Sequence, residues 1–129
     1  MNRKILITAS IIGVLSVVLG AFAAHGLKEL IAVEQLQSFE TGVRYQIYHA
    51  FLLLFIGNTD KLTIKTKKTV FYLVIVGLLL FSGSIYGLAT NTLSSFDFKQ
   101  IALITPDGGL LLIVAWIVMG IGFIRNTDN

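Results

Sequence analysis

ILITASIIGVLSVVLGAFAA, residues 5–24, is a run of twenty residues without a charge, and its reading decides the fold class. At about 1.5 Å per residue, a helix of this length crosses the roughly 30 Å hydrocarbon core of a bilayer. A second uncharged block, residues 69–89, is equally clear, and a third, residues 108–124, has 17 residues and sits near the lower limit for a span. The apolar residues come in continuous blocks, with neither a strand alternation nor a helical period, as expected of a chain whose solvent is lipid. Composition agrees. Of 129 residues 55% are hydrophobic and 13% charged, with mean hydropathy +0.83, whereas a soluble domain is about 25% charged. With no cysteine, disulfides, thiolate metal sites and cysteine nucleophiles are excluded.

The remaining apolar block is anomalous. Residues 43–56 number only 14 and include Arg44 and His49, so this segment reaches spanning length only if its helix starts near Ser38. The expectation is an all-α polytopic membrane protein, a four-transmembrane-helix bundle in a single membrane domain over residues 1–129, with spans at about 5–24, 38–57, 69–89 and 106–124. The first block also has the look of a signal peptide, because Arg3 and Lys4 precede it and Ala21, Phe22 and Ala23 form an A-x-A site. Its apolar length exceeds the roughly 7 to 15 residues of a signal core, so an uncleaved span is expected.

Charge sets the orientation. Arg3, Lys4, Lys61, Lys65, Lys67, Lys68 and Arg125 fall on one side of the four spans and Lys28 and Lys99 on the other, seven against two, with Arg44 inside a span. The positive-inside rule places the N and C termini in the cytoplasm. The basic stretch DKLTIKTKK, residues 60–68, could serve anionic lipid or nucleic acid, but topology alone accounts for it and no nucleic-acid partner is expected. Residues 26–37 alternate Leu27, Leu30, Ile31 and Val33 with Lys28, Glu29 and Glu34, which predicts a short amphipathic segment lying in the interface. Thr105 is expected to cap the last helix, with Pro106 at its first position, and NTDN, residues 126–129, to form a frayed tail.

With this orientation the scattered polar residues gather towards the outer leaflet: His25, Arg44, Tyr45, Gln46, His49, Tyr86 and Asp107 form the candidate ligand-binding set. Arg44 would lie about 9 Å below the boundary and His49 about 16 Å, near the midplane, on a different side of the helix. A guanidinium at such depth needs a partner; Glu40, Asp107 or a bound anion is expected to supply it. Two histidines without cysteine or an adjacent intramembrane carboxylate fall short of a zinc site, so no metal or other cofactor is expected, and each imidazole should bond within the protein, His49 at a glycine or serine seam of the first or third span. Ser84, His49 and Asp107 could be drawn as a hydrolase triad, but FSGSIYG, residues 81–87, is not G-x-S-x-G, and no catalysis is expected. Helix contact is expected along Ala9, Gly13, Ser16, Gly20 and Ala24, and at the Gly83 and Gly87 G-x-x-x-G.

GAFAAHGL (20–27), TGVRYQIYHA (41–50), FSGSIYGL (81–88) and TPDGG (105–109) stand in an order and spacing that resembles the small four-span membrane proteins of the YwdK and YgdD type, which have eukaryotic relatives. The resemblance covers nearly the whole chain and rests most on the Arg-Tyr-Gln run with a histidine five residues after the arginine. Two positions depart from the pattern: Ala23 stands where glycine is frequent, and Asp107 where an apolar residue is. The resemblance implies a multi-pass protein of the bacterial cytoplasmic (inner) membrane; it brings no reaction with it. Two functions compete. The outer-leaflet set grips a lipid headgroup, an anion or a partner helix, with membrane lipids, a second copy or another membrane protein as partners; or Arg44 and His49 line a small ion channel or proton-linked transporter.

Overall fold

The structure, a computed structural model, describes residues 1–93 and 104–126. Lys99 of the charge count, most of the third connection (94–103) and the end of the tail (127–129) lie outside the described residues. Among those described, the chain is helical throughout: α1 (Asn2–Ala24), a 3-10 turn (Leu27–Glu29), α2 (Val33–Asn58), α3 (Ile64–Ala89), a 3-10 turn (Asn91–Leu93) and α4 (Ile104–Arg125). Three of these, α1 with its continuation to Glu29, α3 and α4, are long and apolar enough to cross a membrane. Their outward faces carry large apolar side chains such as Val14, Val17, Leu79, Ile113 and Ile117, all exposed. In water such a surface would be an aggregation liability; in lipid it is solvated.

Helix α2 departs from this apolar pattern. Its 26 residues amount to about 39 Å, more than enough length, but Glu34, Glu40 and Arg44 lower its hydropathy. Packing places it beside α1 over nearly the whole of that helix. Phe39 shares a buried cluster with Ala23, Leu27 and Ala89, while at the other end Gly57 is so close to Ile5 and Leu6 that a Cβ would lie 2.7 Å from Leu6 Cδ2. The two helices therefore run antiparallel across the same thickness. Lys67 Nζ donates to Asn2 Oδ1 at 3.1 Å, which sets α3 parallel to α1, and Asn126 Nδ2 donates to the Lys61 carbonyl. The start of α1, the end of α4 and the connection from α2 to α3 thus share one end of the bundle, called the terminal end below.

Two apolar clusters hold the helices. The larger, near the terminal end, joins Ile5, Leu53, Ile56, Val70, Val74, Ala115 and their neighbours; the smaller lies at the opposite end. Between them sits a polar layer of Ser16, Gln46 and Ser82, each buried. Every buried side-chain nitrogen or oxygen among the described residues has a hydrogen-bond partner, a strict requirement where no water competes. The Ser16 hydroxyl turns back one turn to do this, to the Ile12 carbonyl at 2.8 Å.

Several local expectations give way to packing. The segment 26–37 is not one interfacial helix: a 3-10 turn covers Leu27–Glu29 and α2 already begins at Val33, because Leu27 is fully buried against Ala23 and Phe39. Helix α4 starts at Ile104, two residues before Pro106, so Thr105 lies inside its first turn, and its hydroxyl is 2.5 Å from Ser84 Oγ. The G-x-x-x-G at Gly83 makes no tight seam, for a Cβ there would meet nothing within 4 Å. Close approach occurs instead where Gly77 meets Gly108.

Candidate functional site

The seven candidate residues do not form one site. They separate into two polar knots that tie α2 to different helices, one exposed arginine, and two residues apart from the rest.

Gln46 and Tyr86 make the first knot. Gln46 Nε2 donates to the Ile12 carbonyl at 3.1 Å, and Oε1 accepts from the Tyr86 hydroxyl at 2.5 Å, so one amide bridges α1, α2 and α3. Ser82 Oγ reinforces it by donating to the Gly42 carbonyl at 2.9 Å. Gly42 is required by this contact, since a Cβ would lie 2.7 Å from Tyr86 Cε1. A cavity of about 310 Å³ between α1 and α3 adjoins the knot, walled by Ile12, Leu15, Leu78 and Leu79. Gln46, Ser82 and Tyr86 beside it are engaged in the bonds just given, and apart from the Thr8 hydroxyl what it offers is an apolar surface.

His49 makes the second knot, and its partner is on α4. Nδ1 lies 2.6 Å from the Tyr45 carbonyl, and Nε2 accepts from the Trp116 indole N–H at 3.1 Å. A carbonyl only accepts and an indole N–H only donates, which requires the neutral imidazole with its proton on Nδ1. The expected seam on the first or third span is therefore wrong: the imidazole meets Trp116 edge to face, with ring centroids 6.1 Å apart. A cavity of about 300 Å³ opens beside it, lined by Tyr45, Phe81, Gly109, Leu112 and Trp116.

Among the described residues Arg44 has no carboxylate partner: its Nη2 donates to Thr41 Oγ1 at 2.9 Å, one turn earlier, and no ion pair forms to Glu40 or Asp107. Two residues along a helix are about 200° apart, so the rotation that buries Gln46 necessarily turns Arg44 outward, where it is exposed. Asp107 is also exposed, in the first turn of α4, where it suits the positive end of the helix dipole. His25 ends α1, with its backbone N–H on the Ala21 and Phe22 carbonyls and its ring exposed.

Other groupings drawn from the sequence also dissolve. Ser84 is engaged by the Phe81 carbonyl at 3.0 Å and by Thr105, away from His49. Among the described residues no three His, Asp or Glu side chains gather as a metal-binding group. Sequence reasoning missed Trp116. A signal existed: the chain's single tryptophan stands inside an apolar span, where an indole N–H needs an acceptor.

Comparison with known proteins agrees with this architecture. A family model described as "Protein of unknown function (DUF423)" matches residues 19–109. The membrane protein YwdK of Bacillus subtilis is 38% identical, covering 95% of this chain and 98% of its own. A membrane protein of Haemophilus influenzae is 33% identical over 98% of both chains, and the inner membrane protein YgdD of Escherichia coli is 35% identical over 96% of this chain and 92% of its own. No solved structure matches. These relatives all carry the UPF0382 designation, and with three helices able to span a bilayer the chain is a multi-pass membrane protein that belongs to the DUF423 family.

Proposed function

We propose that the protein is a non-enzymatic, four-span lipid-binding protein with both termini in the cytoplasm, and that Arg44 receives the phosphate of an outer-leaflet lipid. The observation that carries this reading is an exposed guanidinium whose one side-chain bond among the described residues goes to Thr41. Arginine presents five N–H donors in a fork suited to phosphate, and leaving them unmatched at membrane depth is costly. The neighbouring cavity along Tyr45, Phe81 and Trp116 supplies an aromatic and apolar wall for an acyl chain. Because α2 runs alongside α1 over nearly its whole length, it crosses wherever α1 does, which makes it the fourth span. A proton path through His49 is less favoured, since both ring nitrogens are already engaged.

Orientation is tested by labelling a chain that has no native cysteine. Single cysteines replacing Asp60, in the connection from α2 to α3, and Thr92, at the opposite end, are both exposed positions, and Asp60 spares the capping Thr63. In intact cells a membrane-impermeant maleimide should label the second and not the first. The reverse result would invert the topology.

Lipid binding is tested with Arg44→Gln. Native mass spectrometry of the purified protein should show retained phospholipid lost in the variant, while stability in detergent falls by less than about 1 kcal/mol, the scale of one modest hydrogen bond. A loss of about 3 to 5 kcal/mol would instead indicate a buried ion pair and sink the reading. Proton flux through proteoliposomes that disappears with His49→Ala would replace binding by transport.

A further inference from the structure

The geometry points to a second lipid site of different origin: a cleft at the terminal end, between the start of α3 and the end of α4, that binds the phosphate of an anionic phospholipid. It does not rest on the Arg44 reading. A cavity of about 360 Å³ opens there. At about 30 Å³ per water, this is room for roughly a dozen waters, enough for a glycerophosphate headgroup.

Its two cations come from opposite helix ends. Lys65 is the second residue of α3 and Arg125 the last of α4; both are exposed, and neither forms an ion pair among the described residues. Asp60, the carboxylate of the adjoining connection, does not line the cavity. Donors accumulate at the same rim. Thr63 Oγ1 accepts from the Thr66 N–H at 3.2 Å and donates to Thr66 Oγ1 at 3.0 Å, so the hydrogen of the Thr66 hydroxyl remains available to an outside acceptor. The N–H groups of Ile64 and Lys65 open a helix of 26 residues and have no acceptor within it, which adds the partial positive charge of a helix start.

The remaining wall is apolar, and this separates a lipid from a soluble anion. Val118 and Gly122 of α4 form it. Gly122 closes its floor by letting α4 pack directly on α3, since a Cβ would lie 2.8 Å from Thr66 Cγ2 and 2.9 Å from Leu62 Cδ2. The bond from Asn126 to the Lys61 carbonyl ties the end of α4 to the connection before α3 and so holds the two cations across one gap. A cationic, hydroxyl-lined mouth that continues into an apolar wall matches a phospholipid, with its phosphate at the mouth and its chains along Val118. Basic pockets between spanning helices are a recurrent form of such recognition.

The test uses full-length protein carrying Arg44→Gln, so that the first site cannot contribute, titrated in detergent with short-chain phosphatidylglycerol, phosphatidylcholine and inorganic phosphate. Phosphatidylglycerol should bind in preference to both. Lys65→Gln with Arg125→Gln should weaken it at least tenfold, and Lys68→Gln, exposed on α3 but outside the cleft, should change it less than twofold. Equal losses from Lys68→Gln would reveal diffuse attraction to a basic surface, equal binding of phosphatidylcholine would remove the anion requirement, and inorganic phosphate binding as tightly as phosphatidylglycerol would make the ligand a soluble anion. Each of these overturns the proposal.

Discussion

Replacing Gly108 with alanine is expected to be among the most damaging single changes in the protein. A Cβ at this position would collide with the Phe81 backbone nitrogen, and it would lie 2.7 Å from the Leu80 carbonyl carbon and 2.9 Å from the Gly77 carbonyl oxygen. All three atoms are main chain of α3, so no rotamer change can make room. Gly77 is the other half of the contact, but the obstacle to a Cβ there is chiefly the flexible end of Leu112, at 2.8 Å, with the Gly108 carbonyl at 3.2 Å. Overpacking usually costs about 1 to 3 kcal/mol and more when the surroundings cannot move; Gly108→Ala should reach or exceed the top of that range, and Gly77→Ala should fall below it. Gly13→Ala and Gly120→Ala are the controls, because a Cβ at either meets nothing within 4 Å, and they should be neutral or slightly stabilising through helix propensity. Unfolding measured in bicelles provides the comparison. If Gly108→Ala proved as mild as the controls, the backbone contact between α3 and α4 would be refuted.

Gln46→Leu should produce the other large effect, about 2 to 3 kcal/mol, from two lost interhelical bonds and the hydroxyl they leave behind. The two ends of the amide are not equivalent. The Ile12 carbonyl keeps the Ser16 hydroxyl at 2.8 Å, whereas the Tyr86 hydroxyl loses the acceptor at 2.5 Å and keeps only the Ser82 hydroxyl, already spent on the Gly42 carbonyl, as a polar neighbour. Tyr86→Phe should therefore be costly in the native background and close to harmless once residue 46 is leucine. A double-mutant cycle on these two positions should return a coupling of about 1 kcal/mol or more. Additive losses would mean that the tyrosine and the amide do not depend on each other.

Much of the architecture is legible in the sequence because hydropathy is summed along the chain. The blocks at 5–24, 69–89 and 108–124 become α1, α3 and α4 with their ends displaced by a few residues, as lipid solvation requires of any uncharged run of that length. The second block is harder. Its charges are visible and its helix length can be inferred, but only the contacts of Phe39 with Ala23 and of Gly57 with Leu6 align α2 with α1. The site was legible as a set of residue types and not as an arrangement. Gln46 was expected beside Arg44, yet it is buried while Arg44 is exposed.

The sequence by itself therefore determined that the chain is helical, that it enters a membrane, and that its unusual polar residues are concentrated in one helix. Tertiary structure alone decided how they pair: Gln46 with Tyr86 forty positions away, His49 with Trp116 sixty-seven positions away, and Arg44, among the described residues, with nothing farther than the preceding turn. The reason is geometric. Hydropathy fixes how deep a residue lies but carries no information on the rotation of its helix, and each successive residue turns about 100°. That rotation is set where helices touch, at Gly42 against Tyr86 and Gly77 against Gly108, by contacts between residues remote in sequence.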